Sequence, residues 1–350
     1  MSTQPVQLPA KSDVPDETYF MTDPCIPIGI TAGDACGVGP EILVRSAARG
    51  DLDGACVVYG DRAAIELAAE KTGAMVDLNP ISSPASCQRG RLNLIDLALL
   101  RAADITIGEV SRSCGNASVA YVEHATRACL EHAIAAMVTL PINKEACRLT
   151  HPGFQGHTEF IAGICGSADY GMMLAGSKMI VTHVSTHVSL REAIALVTEK
   201  NVLRTLRMTP HHVSALRGRA RIAVAGLNPH AGEHGAFGRE DVDAIAPAVE
   251  AARAEGIDVS GPLPPDTVFY RMARGEFDAV VCMYHDQGHI PMKLQGFGDT
   301  VNVTLGLPVI RTSVDHGTAF DIAYQGIADI DNFGHALDLA RKLSGLTNSR

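Results

Sequence analysis

The feature that most constrains this chain is alternation. Eight short apolar runs, at residues 26–31, 55–59, 93–97, 135–140, 179–184, 221–225, 278–283 and 301–305, recur along it with mostly helical segments between them. The run at 278–283 has no turn residue and reads as a buried strand, and strands that alternate with helices pair in parallel. The pattern therefore predicts a mostly parallel α/β architecture. Two helix starts are legible: Pro40 follows Gly39 where a missing N–H costs nothing, and Ser189 with Glu192 has the S-x-x-E spacing of a capping box. No internal repeat or low-complexity linker divides the chain, so two domains would share a sheet or exchange segments, with the His151-Pro152-Gly153 turn as the first crossing.

Three of the runs end in a histidine. Residues 179–184 lead to Ser185, Thr186 and His187, residues 221–225 lead through Asn228 and Pro229 to His230, and residues 278–283 lead to His285, Asp286, Gln287 and His289. Ligands in open α/β sheets bind beyond the carboxyl ends of the strands. If the three strands are neighbours, His187, His230 and His285 meet at one rim, and three neutral nitrogens with open positions describe a catalytic site for zinc, cobalt, nickel or manganese. The plainer alternative is a set of polar loops whose histidines only cap backbone groups.

Other segments carry donors for an anion. Residues 28–41, IGITAGDACGVGPE, form a strand, a glycine-rich turn and a helix start, but Gly33, Gly37 and Gly39 match neither G-x-G-x-x-G nor the P-loop. Such a turn either faces an anion with its amides or simply joins strand to helix. In QGHTEF, His157 and Thr158 sit at a predicted helix start, where free amides suit phosphate. Lys293, Asn302 and Arg311 follow at intervals of nine residues, and Arg311 can engage two oxygens of a phosphate ester at once.

Composition narrows the partners. Lys and Arg number 29 against 39 Asp and Glu, a net charge of −10, so no basic stripe is available for nucleic acid, although a local cationic pocket for a small anion remains possible on an acidic surface. The 350 residues, 46% hydrophobic and without Trp, suffice for two domains with a core of Ala, Val, Ile and Leu. Nine cysteines with no CxxC pair indicate buried thiols in a reducing compartment. No apolar run reaches the length of a membrane span, and the first 22 residues, with three prolines and no apolar core, read as a disordered extension rather than a secretory signal. The expected location is the cytoplasm, and Met21 is an alternative start.

The blocks GDACGVGPEI (33–42), LPINKEA (140–146), GHTEF (156–160), VSTHVSL (184–190), GLNPHAGE (226–233), PPDTVF (264–269), YHDQGHIPMK (284–293) and NVTLGLPVIRTSVDHGTAFDIA (302–323) stand in unbroken order. Together they resemble the 4-hydroxythreonine-4-phosphate dehydrogenase family from about residue 26 onward. The resemblance implies an isocitrate/isopropylmalate dehydrogenase-like fold, two α/β subdomains with the active site in the cleft between them, and a homodimer with that site near its interface. The corresponding division is an extension at 1–22, a dinucleotide-side subdomain at 23–150 plus 300–350, and a metal, substrate and dimerisation subdomain at 151–299. The family's GDPxGIGPE departs here to GDACGVGPE, with Ala35 where Pro is usual.

Carried over residue by residue, the resemblance assigns His187, His230 and His285 to one divalent metal ion, zinc, cobalt, nickel, manganese or magnesium. It assigns His157, Thr158, Lys293, Asn302 and Arg311 to the phosphorylated substrate. Residues 315–328 resemble the loop that holds the adenosine half of NAD or NADP, which assigns Asp315, His316, Gly317, Thr318 and Asp321 to the cofactor. The implied reaction is oxidation of a 3-hydroxy acid with loss of CO2, with Asp266 and Lys293 as proton carriers. Alternative substrates are D-threonate or D-erythronate 4-phosphate, to which VSTH and YHDQGHIPMKL are closer, and the phosphate-free cis-dihydrodiol of terephthalate. A metal-dependent hydrolase or aldolase is the reading from a different class; it has no use for the 315–328 loop.

Overall fold

The computed structural model describes residues 26–296 and 298–345. The expected extension at 1–22 and the alternative start at Met21 lie outside them. Twelve strands form one sheet: β1 (Ile28–Thr31), β2 (Cys56–Gly60), β3 (Leu78–Pro80), β4 (Leu92–Asp96), β5 (Ala136–Thr139) and β6 (Gly171–Ala175) in the first half. The second half adds β7 (Ile180–His183), β8 (Ile222–Ala225), β9 (Val259–Leu263), β10 (Ala279–Cys282), β11 (Val301–Leu305) and β12 (Arg311–Ser313). The spatial order is β3-β4-β2-β1-β5-β12-β11-β6-β7-β10-β8-β9.

All eight apolar runs are strands. Of the four that the pattern did not mark, three are short or interrupted: β3 reads LNP, β12 reads RTS and β9, VSGPL, contains a Gly-Pro step; the fourth is β6, GMMLA. Eight of the eleven pairings are parallel; β6 runs antiparallel to both β7 and β11, and β11 runs antiparallel to β12. These reversals let the C-terminal strands β11 and β12 slot between β5 and β6, so the sheet is continuous across both halves of the chain.

The core has the expected aliphatic character. Its largest apolar cluster draws on residues 28–161 and again on 301–340, and further clusters draw on 173–305. Strands β1, β2, β5, β7, β8 and β10 are buried throughout, which explains why they read as unbroken apolar runs. Each Val, Ile or Leu fully buried this way contributes about 1.5–3 kcal/mol. Both predicted helix starts are present. Helix Gly39–Arg49 has Pro in its first turn, and the Ser189 hydroxyl caps helix Leu190–Leu196 by accepting the Glu192 N–H.

Candidate active site at the strand ends

Strands β7, β10 and β8 are consecutive neighbours and parallel, so their carboxyl ends share one rim. The segment after β7 carries His187, helix His285–Gln295 begins directly beyond β10, and the turn after β8 carries His230. The rings of His187 and His285 lie 5.6 Å apart, centre to centre, and both line a pocket of about 310 Å³ with Tyr284 and Asp286. His285 Nδ1 donates to Asp286 Oδ1 at 2.6 Å, which leaves Nε2 with its lone pair available. His187 has a lowered pKa, from burial of the ring first and the charges of His285 and Lys144 second, so it presents a neutral nitrogen. Two imidazoles side by side, one of them oriented by a carboxylate, fit a divalent cation.

His230 is placed differently. Its side chain is 63% exposed, 3.9 Å from Glu233 and edge-on to Phe237. It opens a run of five residues, His230 to His234, with positive φ. Four of the five carry a β-carbon, so this turn is strained and rare for non-glycine residues. Among the described residues, His187, His230 and His285 do not bring three ligand atoms within 4.8 Å of one another.

Two further imidazoles extend the pair into the interior. His289 stacks on His285, with centroids 3.6 Å apart and planes 12° apart, and donates from Nδ1 to the His285 carbonyl at 3.0 Å. His183, the last residue of β7, lies 4.9 Å from His289 and is 3% exposed, and neither of its ring nitrogens has a hydrogen-bond partner. Burial lowers the pKa of His289 to about 4 and that of His183 to about 3, so both are neutral near pH 7. Gly288 permits this contact, because a β-carbon there would stand 2.4 Å from His183 Nε2.

Arg311, the first residue of β12, has one other predicted anion donor, His157, within electrostatic reach. It is 4% exposed, and its guanidinium donates to Thr139 Oγ1 at 2.7 and 3.0 Å and to Thr304 Oγ1 at 3.1 Å. Those partners are neutral hydroxyls; among the described residues no carboxylate pairs with it. Burial pulls its pKa down to about 10. His157 begins helix His157–Cys165 beyond the Gly156 cap, and its buried Nε2 has no partner. Burial, and then the charges of Arg311 and Lys144, hold its pKa well below the usual imidazole range. Thr158 follows it, half-buried, in the same turn, and Asn302 on β11 donates to Met172 Sδ at 3.1 Å.

Lys293 lies within electrostatic reach of Asp286, His289 and Asp315, which brings the histidine rim near the 315–328 loop. That loop docks on the glycine-rich turn: Val38 N–H donates to the Thr318 carbonyl at 3.0 Å and Tyr324 Oη to the Ala35 carbonyl at 2.6 Å. Gly37 allows the approach, since a β-carbon there would meet the Thr318 oxygen at 2.8 Å. His316 Nδ1 donates to the Gly317 carbonyl at 3.1 Å and its Nε2 is buried without a partner, while Asp315 and Asp321 are exposed. Asp266 is exposed too, on the turn between β9 and helix Val268–Ala273.

Sequence reasoning left out Lys144, Glu159, His183 and His289 as site residues. Lys144 acts electrostatically on both His157 and His187, and Glu159 on Arg311 and His187, so the two bridge the anion donors and the histidine rim. The LPINKEA and GHTEF blocks contained both residues, and position within them was the available signal.

An α/β enzyme with its polar groups collected at parallel strand ends is the class that this geometry defines. A family model, Pyridoxal phosphate biosynthetic protein PdxA, matches residues 53–340. D-threonate 4-phosphate dehydrogenase of Cupriavidus necator is 46% identical over 331 residues, which cover 93% of this chain and 99% of that protein. 4-hydroxythreonine-4-phosphate dehydrogenase of Desulforapulum autotrophicum is 42% identical, covering 94% of this chain and 98% of that one. The crystal structure of 4-hydroxythreonine-4-phosphate dehydrogenase from Klebsiella pneumoniae superimposes with a TM-score of 0.85 at 42% identity, over 91% of this chain and 99% of that one.

The chain belongs to the PdxA family. It is an oxidoreductase of the dehydrogenase kind, which sets aside the hydrolase and aldolase alternatives. Among the described residues no helix is long and apolar enough to cross a membrane.

Proposed function

We propose that this chain is a divalent-metal-dependent, NAD(P)+-linked dehydrogenase that oxidises and decarboxylates a phosphorylated 3-hydroxy acid. D-threonate 4-phosphate is the first candidate substrate and 4-hydroxythreonine 4-phosphate the second. The observation that carries this reading is Arg311: a buried guanidinium hydrogen-bonded to neutral hydroxyls rather than to a carboxylate, and within electrostatic reach of His157, suits an anionic ligand. Glu159 acts on this charge without forming an ion pair, whereas a bound phosphate would pair with it directly. A terephthalate-type dihydrodiol has no phosphate to offer it. The order of the two candidates follows the relatives reported above, of which the one 46% identical is named for D-threonate 4-phosphate and the one 42% identical for 4-hydroxythreonine 4-phosphate.

His187 and His285 would hold the metal, with His230 as third ligand. Because His230 is exposed on its own turn, we assign it to the site of a second copy in a homodimer. When bound, the cation would supply Lewis-acid stabilisation of the ionised hydroxyl and of the ketone, and the nicotinamide would take the hydride. Arg311, His157, Thr158 and Asn302 fix the phosphate end, which orients the far carbons toward the rim. The docked 315–328 loop, through Asp315, His316, Gly317, Thr318 and Asp321, receives the adenosine half. Lys293, within electrostatic reach of Asp286 and Asp315, is the proposed carrier of the hydroxyl proton, with Asp266 as the second carrier.

Steady-state reduction of NAD+ and NADP+ with each of the two phosphate esters and with dephosphorylated D-threonate, before and after chelation, tests the proposal. The expected result is turnover of a phosphate ester that chelator abolishes and added metal restores. Equal turnover of the dephosphorylated acid would remove the role of Arg311, and turnover indifferent to chelator would remove the metal.

A further inference from the structure

Asp34, Cys36 and Cys114 form a second cluster of metal-competent side chains, on the opposite half of the sheet order from the histidines. All three residues are fully buried, and one ligand atom from each lies within 4.8 Å of the others. Asp34 and Cys36 come from the glycine-rich turn after β1, and Cys114 from the first turn of helix Arg112–Leu130. Cys36 Sγ donates to Cys114 Sγ over 3.4 Å. Accepting that S–H lowers the pKa of Cys114, while giving it up is resisted at Cys36. Asp34 Oδ1 accepts the Cys36 N–H at 2.9 Å, but Oδ2 is buried with no partner. Burial lifts the Asp34 carboxyl to about 6.

Distances decide between two chemistries for the sulfur pair. A disulfide requires the sulfurs, now 3.4 Å apart, to close to about 2.05 Å. A tetrahedral zinc with Zn–S bonds of about 2.3 Å holds its sulfurs roughly 3.7 Å apart. The pair is nearer to the second arrangement and needs to open by only a few tenths of an ångström. A disulfide would also leave the orphaned carboxylate oxygen unexplained, whereas a cation satisfies it.

We propose that Asp34, Cys36 and Cys114 constitute a thiolate–carboxylate site for a soft divalent cation, zinc being the ion whose chemistry fits best. Binding forms two metal–sulfur bonds and one metal–oxygen bond and releases both thiol protons to solvent, without oxidation or reduction. The site lies under a junction of three segments. The Cys36 carbonyl accepts the Gly108 N–H at 2.9 Å, and its neighbours Ala35 and Val38 hold Tyr324 and Thr318 of the 315–328 loop. A cation there ties the turn to the 112–130 helix and so fixes the surface on which that loop rests. It is separate from the histidine site and does not depend on the proposed reaction.

Cobalt titration of the full chain, followed by absorption, tests this. Thiolate ligation gives a sulfur-to-cobalt charge-transfer band in the near ultraviolet that imidazole ligation does not. The band is expected in the wild type and in a His187→Ala/His285→Ala variant, and is expected to be lost in Cys114→Ala and in Cys114→Val, whose bulk fills the space. A readout without substitution is peptide mapping after alkylation in subdenaturing urea, where zinc should slow labelling of Cys36 and Cys114 relative to the other cysteines. No charge-transfer band in the wild type, a band that survives both Cys114 variants, unchanged labelling with zinc, or a Cys36–Cys114 disulfide in the isolated protein would each overturn the proposal.

Discussion

The imidazole of His289 lies flat against that of His285, 3.6 Å away at 12°, and its Nδ1 proton is given to the His285 main-chain carbonyl. One residue thus fixes both the ring and the backbone of a proposed metal ligand. Outer groups that orient a ligand typically change metal affinity 10–100-fold when removed. His289→Ala is expected to weaken metal binding by roughly tenfold, read by calorimetry. His289→Phe, which keeps a stacking face, should recover most of the loss. Equal affinities in all three proteins would show that the stack positions nothing.

Arg311 opposes stability and binding. Replacing its buried guanidinium, which has no ion-pair partner among the described residues, with Met removes a desolvation cost. The same change removes the bidentate donor proposed for phosphate. Arg311→Met is therefore expected to melt at the same or a higher temperature than wild type, yet to lose the rise in melting temperature that inorganic phosphate gives the wild type. A phosphate-induced rise of unchanged size in the variant would place the anion elsewhere.

The mixing of two inactive variants tests whether His230 serves the partner's site. If His187 and His230 of different copies share one site, a His187→Ala/His230→Ala mixed dimer contains one site with both losses and one intact site. Subunit exchange between the two single variants should then restore activity that neither has alone. If each site is built within one chain, every site in the mixture lacks a ligand and activity stays absent.

Much of this arrangement is legible in the sequence. Unbroken apolar runs exist because β1, β2, β5, β7, β8 and β10 are covered on both faces, and the three histidines mark strand ends because those strands are parallel neighbours. What stayed hidden was tertiary. The short strand β12, RTS, earns its place by pairing with β5 rather than by its own pattern. His183 reads as one more residue of an apolar run, and only the glycine at 288 lets it reach His289. Lys144 becomes a site residue through its neighbours in space, His157 and His187, which stand 13 and 43 positions away.

The docking of the proposed cofactor loop predicts a separable defect. At Gly37 a β-carbon would stand 2.8 Å from the Thr318 carbonyl oxygen, which is main chain and cannot swing aside. Gly37→Ala should push the 315–328 loop off the turn. The expected outcome is a raised KM for NAD(P)+ with metal affinity unchanged. Parallel losses of both would mean that the variant has disturbed the whole sheet.

Buried neutral histidines make the fold acid-labile, and the sign follows from proton counting. Burial holds His183 at a pKa of about 3 and His289 at about 4 in the folded protein, below the ordinary imidazole value of 6.5. Between those values and 6.5 the unfolded chain binds protons that the folded chain does not, so stability falls as pH falls through that window. Each group contributes a slope of at most about 1.4 kcal/mol per pH unit. Asp34 acts in the opposite sense: its carboxyl, raised from 3.8 to about 6, gains a proton on folding below pH 6 and offsets one histidine. The histidines outnumber it, so the net trend is loss. Denaturant midpoints measured between pH 7 and pH 5 should fall, and His183→Leu should flatten that fall by up to one histidine's slope. A variant whose midpoints decline as steeply as those of the wild type would show that His183 already carries a proton in the folded protein.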